Sequence, residues 1–188
     1  MLTSTKIIAM KRIKEEYNEI NSKPNPNIGA TVGLPDEDNI FHWRVTLIGP
    51  KDTSYKGGIF TLNIYFPEDY PNRPPEVIFV TPIYHVNVNP NKAHFQNAEP
   101  LGHVCISTLN WWEPKYKMLE VLTNIFGLFY MANPESPYGM ERAYELVNNR
   151  SLYEKKVKFF TQKYANPMYT NIEKEYDNSW DFTYFEQY

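Results

Sequence analysis

Apolar and polar positions divide the chain into a helical head, a strand-rich middle and a helical end. From residue 5 to about residue 20, Ile13, Tyr17 and Ile20 recur at helical spacing with charges between them, which predicts an amphipathic helix. Asn21-Ser22-Lys23-Pro24-Asn25-Pro26-Asn27 breaks it. Three strand-like runs follow. Residues 41–48 end at Gly49-Pro50; residues 58–66 alternate, with Phe60, Leu62, Ile64 and Phe66 on one face; residues 76–80 form the third. Turn residues separate these runs at hairpin spacing, so an antiparallel meander is expected. From Tyr84 to Pro114 the chain reads as mostly irregular, and a loop that long inside a compact domain is usually functional or disordered. Helical pattern returns over residues 117–131, where Leu119, Leu122, Ile125, Phe126 and Phe129 make a wide apolar face that Asn133-Pro134 closes. Residues 138–148 and 151–164 predict two further helices. The order helix, strands, loop, helices gives an α+β domain with segregated elements. There is no internal repeat.

Composition narrows the classes. The length of 188 residues suits one domain with short extensions, and 42% hydrophobic with 16% aromatic residues can supply a sizeable core. No apolar run reaches the roughly eighteen residues of a membrane span, and no signal peptide is read at the N-terminus. A single cysteine fits a reducing compartment, so a cytoplasmic and/or nuclear location is expected. The net charge of −3 argues against a phosphate-gripping surface, hence against nucleic-acid binding. Lys6, Lys11, Arg12 and Lys14 do cluster in the first helix, either as a solvated face or as a docking face for an acidic partner. The segment after residue 165 is acidic and rich in Tyr, Trp and Phe, which argues against simple disorder and for packing on the domain or on a partner.

Cys105 is the chain's one thiol, in Gly102-His103-Val104-Cys105-Ile106. It cannot form an internal disulfide and is too little for a cysteine metal site. It is therefore either a small buried hydrophobe or a nucleophile. His103, two residues earlier, would point the same way as Cys105 in an extended segment, and could tune the thiol or stand as a spectator.

Several stretches together resemble the ubiquitin-conjugating enzyme family. Phe41-His42-Trp43, Gly49-Pro50 and residues 55–60 resemble its first hairpin, and residues 66–75 its proline-rich turn. Tyr84-His85-Val86-Asn87 resembles its His-Pro-Asn motif, residues 102–106 its active-site segment, Trp112-Glu113-Pro114 the Trp-x-Pro that follows, and residues 133–137 the loop after the second helix. The resemblance covers residues 5–165, leaving 166–188 as a C-terminal extension. It implies a UBC-type α+β fold with an N-terminal helix, a four-stranded antiparallel meander, a long active-site loop and C-terminal helices.

By that resemblance Cys105 is the nucleophile that takes ubiquitin from an activating enzyme as a thioester and passes it to a substrate lysine, usually with a ligase. A thiol suits this, being partly thiolate near neutral pH and strongly nucleophilic. Asn87 is implied as an oxyanion donor or a loop brace, and His85 as a structural residue of the same loop. Ser136 stands where many members carry an aspartate or serine beside the incoming lysine; a helix N-cap or turn hydroxyl is the alternative. No cofactor is expected, since ATP is used by the activating enzyme. Docking of activating enzyme and ligase is implied at Lys11, Arg12, Asn72, Glu113 and Pro114.

Some features depart from the family pattern. Val86 replaces the motif's proline, which predicts a less rigid loop. Residues 88–101 are longer than the usual connection, and would either gate the site or form a tolerated surface insertion. The Cys-to-Trp spacing is short, so Trp111 and Trp112 are both candidates for the anchoring tryptophan. A conjugating enzyme for a ubiquitin-like modifier of the Nedd type or SUMO, and a non-catalytic ubiquitin-binding variant of the fold, are the alternatives.

Overall fold

The computed structural model describes residues 3–23, 28–90 and 102–166, so most of the expected insertion and extension, residues 91–101 and 167–188, lies outside the described residues. Its centre is a four-stranded antiparallel sheet in sequential order: β1 (Ala30–Gly33), β2 (His42–Ile48), β3 (Ile59–Tyr65) and β4 (Glu76–Phe79). Alternation builds its buried face. Trp43 pairs with Ile64, Val45 with Leu62 and Leu47 with Phe60, and all six side chains are fully buried. A one-residue slip would turn that whole set into solvent, so the register is strongly specified. The pattern of the chain shows three strands, and β1 is the addition. Only Val32 of its four residues is buried, too few positions to display a period of two.

Five helices complete the described fold: α1 (Ser4–Ser22), α2 (Ser107–Asn110), α3 (Met118–Leu128), α4 (Met140–Asn148) and α5 (Arg150–Tyr164). α1 starts where the Thr3 hydroxyl accepts from the Lys6 amide at 3.2 Å. Its buried Glu16 carboxylate accepts from the Tyr70 hydroxyl at 2.9 Å, from the Met118 amide at 2.6 Å and from Arg12. One carboxylate thus fastens α1 to the proline-rich turn and to the first turn of α3. α3 buries Met118, Val121, Leu122, Ile125 and Phe126, whereas Leu119 of the expected face stays half-buried. The helix stops at Leu128, short of Asn133-Pro134, and Phe129 packs into the core beyond it.

α4 and α5 are joined through Asn149 alone, whose side chain accepts from the Leu152 amide. Between them lies a buried polar knot. Glu145 pairs with Lys156 at 2.5 Å and accepts from the Tyr84 hydroxyl at 2.7 Å. Arg142 stacks 4.4 Å above the Tyr84 ring and donates to the His85 carbonyl at 3.1 Å. These groups hold the chain at Tyr84 and His85, where the His85-Val86-Asn87 run begins. No helix among the described residues is long and apolar enough to cross a membrane.

Candidate active site

Cys105 sits at the end of a segment that is hydrogen-bonded along both edges. On one side the Phe79 amide donates to the Gly102 carbonyl at 2.8 Å and the Val104 amide to the Val77 carbonyl at 3.2 Å, extending the sheet beyond β4. On the other, the Asn89 amide donates to the His103 carbonyl at 2.9 Å, Gly102 to the Asn89 carbonyl at 2.8 Å, and Cys105 to the Asn87 carbonyl at 2.9 Å. The two ends of the long 88–101 connection are therefore pinned to each other. Gly102 is required at this neck. Its φ is +83°, and a Cβ there would stand 2.1 Å from the Phe79 carbonyl oxygen.

The sulphur is half-buried and meets two polar side chains. The Ser136 hydroxyl lies 3.2 Å from it. The Asn110 side-chain amide nitrogen donates to it at 3.1 Å. Ser136 caps no helix: α4 begins two residues later than expected, at Met140, with Gly139 before it. Asn110 was not among the sequence candidates. It falls within the run read as irregular, and only the single turn of α2 folds it back onto the thiol.

Asn87 is fully buried, and its amide is spent on the 133–136 loop. Its nitrogen donates to the Asn133 carbonyl at 2.8 Å and the Ser136 carbonyl at 2.9 Å, while its oxygen accepts from the Asn133 amide at 2.8 Å. His85 is buried with both ring nitrogens engaged. Nδ1 accepts from the Asn87 amide at 2.9 Å and Nε2 donates to the Leu128 carbonyl at 3.1 Å. Burial pushes its pKa down to about 4, so the ring is neutral near pH 7. Val86 is fully buried, and its carbonyl accepts from the Tyr138 amide at 2.9 Å. His103 Nδ1 lies 2.6 Å from the Tyr138 hydroxyl.

The expected docking residues come from three separated segments that the structure stitches together. Arg12 donates to the Tyr116 carbonyl at 3.0 Å, and the Trp112 indole donates to the Pro71 carbonyl at 2.6 Å. Trp112 is thus the anchoring tryptophan, while Trp111 is 80% exposed. Lys11, Asn72, Glu113 and Pro114 are exposed around these joints, and Arg12 is half-buried in one of them. A groove of about 670 Å³, lined among others by Tyr55, Met131, Arg150 and Tyr153, does not include Cys105, Asn87 or Ser136. Among the described residues no group of three or more His, Cys, Asp or Glu side chains could share a metal ion.

The arrangement presents a reachable thiol between an amide donor and a hydroxyl, on a backbone fixed from both sides. The model for ubiquitin-conjugating enzymes matches residues 12–161, which contain every element described above from mid-α1 to late α5. With the sheet, the helices and the braced cysteine segment in that order, the chain belongs to the ubiquitin-conjugating enzyme family.

Proposed function

We propose that the protein carries ubiquitin as a thioester on Cys105 and transfers it to a lysine amine. The observation that carries this reading is the placement of Cys105: a half-buried thiol, flanked at 3.1–3.2 Å by Asn110 and Ser136, at the open edge of a braced surface. In loading, the Cys105 thiolate attacks the carbonyl carbon of the modifier held on the activating enzyme; a new C–S bond forms and the activating enzyme's thiolate leaves. In discharge, the lysine nitrogen attacks the same carbon, the C–N bond forms, the C–S bond breaks, and the ammonium proton passes to solvent.

The substrates of such a step are protein tails and side chains, which suits an open surface rather than an enclosed pocket. Ser136 offers a hydrogen bond to the incoming amine, which must lose water and a proton before it attacks. Asn87 acts through the loop it braces. The face formed by α1, residues 69–73 and residues 112–116 is the docking surface for activating enzyme and ligase.

Incubation with activating enzyme, ATP and ubiquitin should give an adduct on a non-reducing gel that thiol reductant removes. Cys105→Ser should give a reductant-resistant ester or nothing. Loading with a Nedd-type modifier or SUMO but not ubiquitin would reassign the modifier. No adduct with any of them would overturn the enzyme reading in favour of a non-catalytic binding variant.

A further inference from the structure

We infer that Asn110 is a catalytic residue of this chain, donating its side-chain amide to the Cys105 sulphur whenever that sulphur carries negative charge. The inference deepens the conjugating reading and rests on it. The amide nitrogen of Asn110 lies 3.1 Å from Sγ. Asn87, the amide that the sequence points to, is turned away from this task, because its donors are engaged by two backbone carbonyls of the 133–136 loop. Asn110 is held independently of that loop. α2 begins directly after Ile106, the Asn110 amide donates to the Ile106 carbonyl at 3.0 Å, and Leu109 anchors the turn in the core. The side chain is thereby set over the sulphur by its own short helix.

A donor on sulphur acts twice in the cycle. During loading it donates to the sulphur that attacks. During discharge the electron pair of the breaking C–S bond returns to sulphur, and the same N–H receives the charge of the leaving thiolate. Hydrogen bonds to charged groups are stronger than neutral ones. The Ser136 hydroxyl, 3.2 Å away, is the second polar group on the sulphur.

The test separates sulphur from carbonyl oxygen. Alkylation of Cys105 by iodoacetamide is a displacement at carbon with no oxyanion, and its rate near pH 7 follows thiolate population and nucleophilicity. Asn110→Ala should slow alkylation about threefold, the size of one hydrogen bond lost from the charged sulphur. Asn110→Asp, which sets a carboxylate against the sulphur, should slow it about tenfold. Asn110 is exposed, so both variants should keep the wild-type melting temperature; should the alanine variant fail to fold, the aspartate variant decides. Lysine discharge of a preformed thioester should fall by at least the same factor as alkylation.

Alkylation of both variants within 1.5-fold of wild type, taken as roughly the assay's resolution against the expected hydrogen-bond effect, would overturn the inference. That holds also if discharge alone falls, since the amide would then serve the carbonyl oxygen. If the wild-type protein loads no modifier, the conjugating reading fails, while the alkylation rates still decide the contact.

Discussion

Replacing Asn87 by alanine removes three hydrogen bonds from one fully buried amide. The Asn133 and Ser136 carbonyls lose their donor, and the Asn133 amide loses its acceptor. At about 0.5–1.5 kcal/mol net for each bond, the sum is about 1.5–4.5 kcal/mol. Asn133 and Ser136 are exposed, so water can replace part of what is lost, and the expected cost is about 2–3 kcal/mol. For a chain of this size that lowers the melting temperature by about 4–12 °C. The same change frees the loop that carries Ser136, so lysine discharge should fall while alkylation of Cys105 stays near wild type. Urea unfolding measures the stability, and hydrogen exchange at the Asn133 amide measures the loop directly. If discharge collapses while stability holds within about 0.5 kcal/mol and Asn133 exchange is unchanged, the bracing argument is wrong and Asn87 acts on the reaction itself.

Three further outcomes follow from the same geometry. Gly102→Ala should destabilise the protein by more than the roughly 1–2 kcal/mol of a left-handed alanine, because its Cβ also meets the Phe79 carbonyl at 2.1 Å; wild-type urea stability would contradict this. His85 has a folded pKa of about 4, below its ordinary value, so the unfolded chain binds the extra proton first; stability present above pH 6.5 is lost as pH falls towards 4. That loss amounts to about 2–3 kcal/mol near pH 4.5, and a His85→Gln variant should show a correspondingly flatter dependence in urea unfolding across this range. Ser136→Asp should preserve or raise lysine discharge from a preformed thioester, since a carboxylate beside the amine assists its deprotonation; a large loss of discharge from a fully loaded protein would refute it.

Residues whose periodicity is strong were legible without coordinates. The alternation of residues 58–66 puts Phe60, Leu62, Ile64 and Phe66 in the core, and the helical periods of the C-terminal half locate α3, α4 and α5 to within a few residues. What periodicity cannot carry was not located from the pattern, and a fourth strand was implied only by the resemblance. β1 buries one side chain, and α2 is a single turn, so neither repeats often enough to be seen. Contacts between distant segments were legible only where a resemblance aligned them. Cys105, Asn87 and Ser136 lie far apart in the chain, and their meeting depends on backbone pairing of residues 87–89 with 102–105 and on the Asn87 amide. Asn110 had no such alignment. Its role follows from the direction in which one helical turn projects a side chain, which the sequence does not state.

Val86 shows how the site obtains order by a different route from the one its sequence suggests. Without a proline ring the 85–87 segment loses a fixed φ, and the sequence alone predicts slack there. The structure replaces that constraint with contacts at every residue: the imidazole of His85 bonded at both nitrogens, the Val86 side chain fully buried with its carbonyl held by Tyr138, and the Asn87 amide spent on residues 133 and 136. A proline would stiffen this segment alone. Hydrogen bonds instead tie it to the loop bearing Ser136 and to Tyr138, whose hydroxyl reaches His103 in the cysteine segment. Stiffness at Asn87 and placement of Ser136 beside the sulphur therefore become one cooperative property. A double-mutant cycle between Asn87→Ala and Tyr138→Phe should accordingly give a coupling above about 0.5 kcal/mol, where independent sites would add. Strict additivity would mean that the two loops are ordered separately, and that the valine does leave the segment slack.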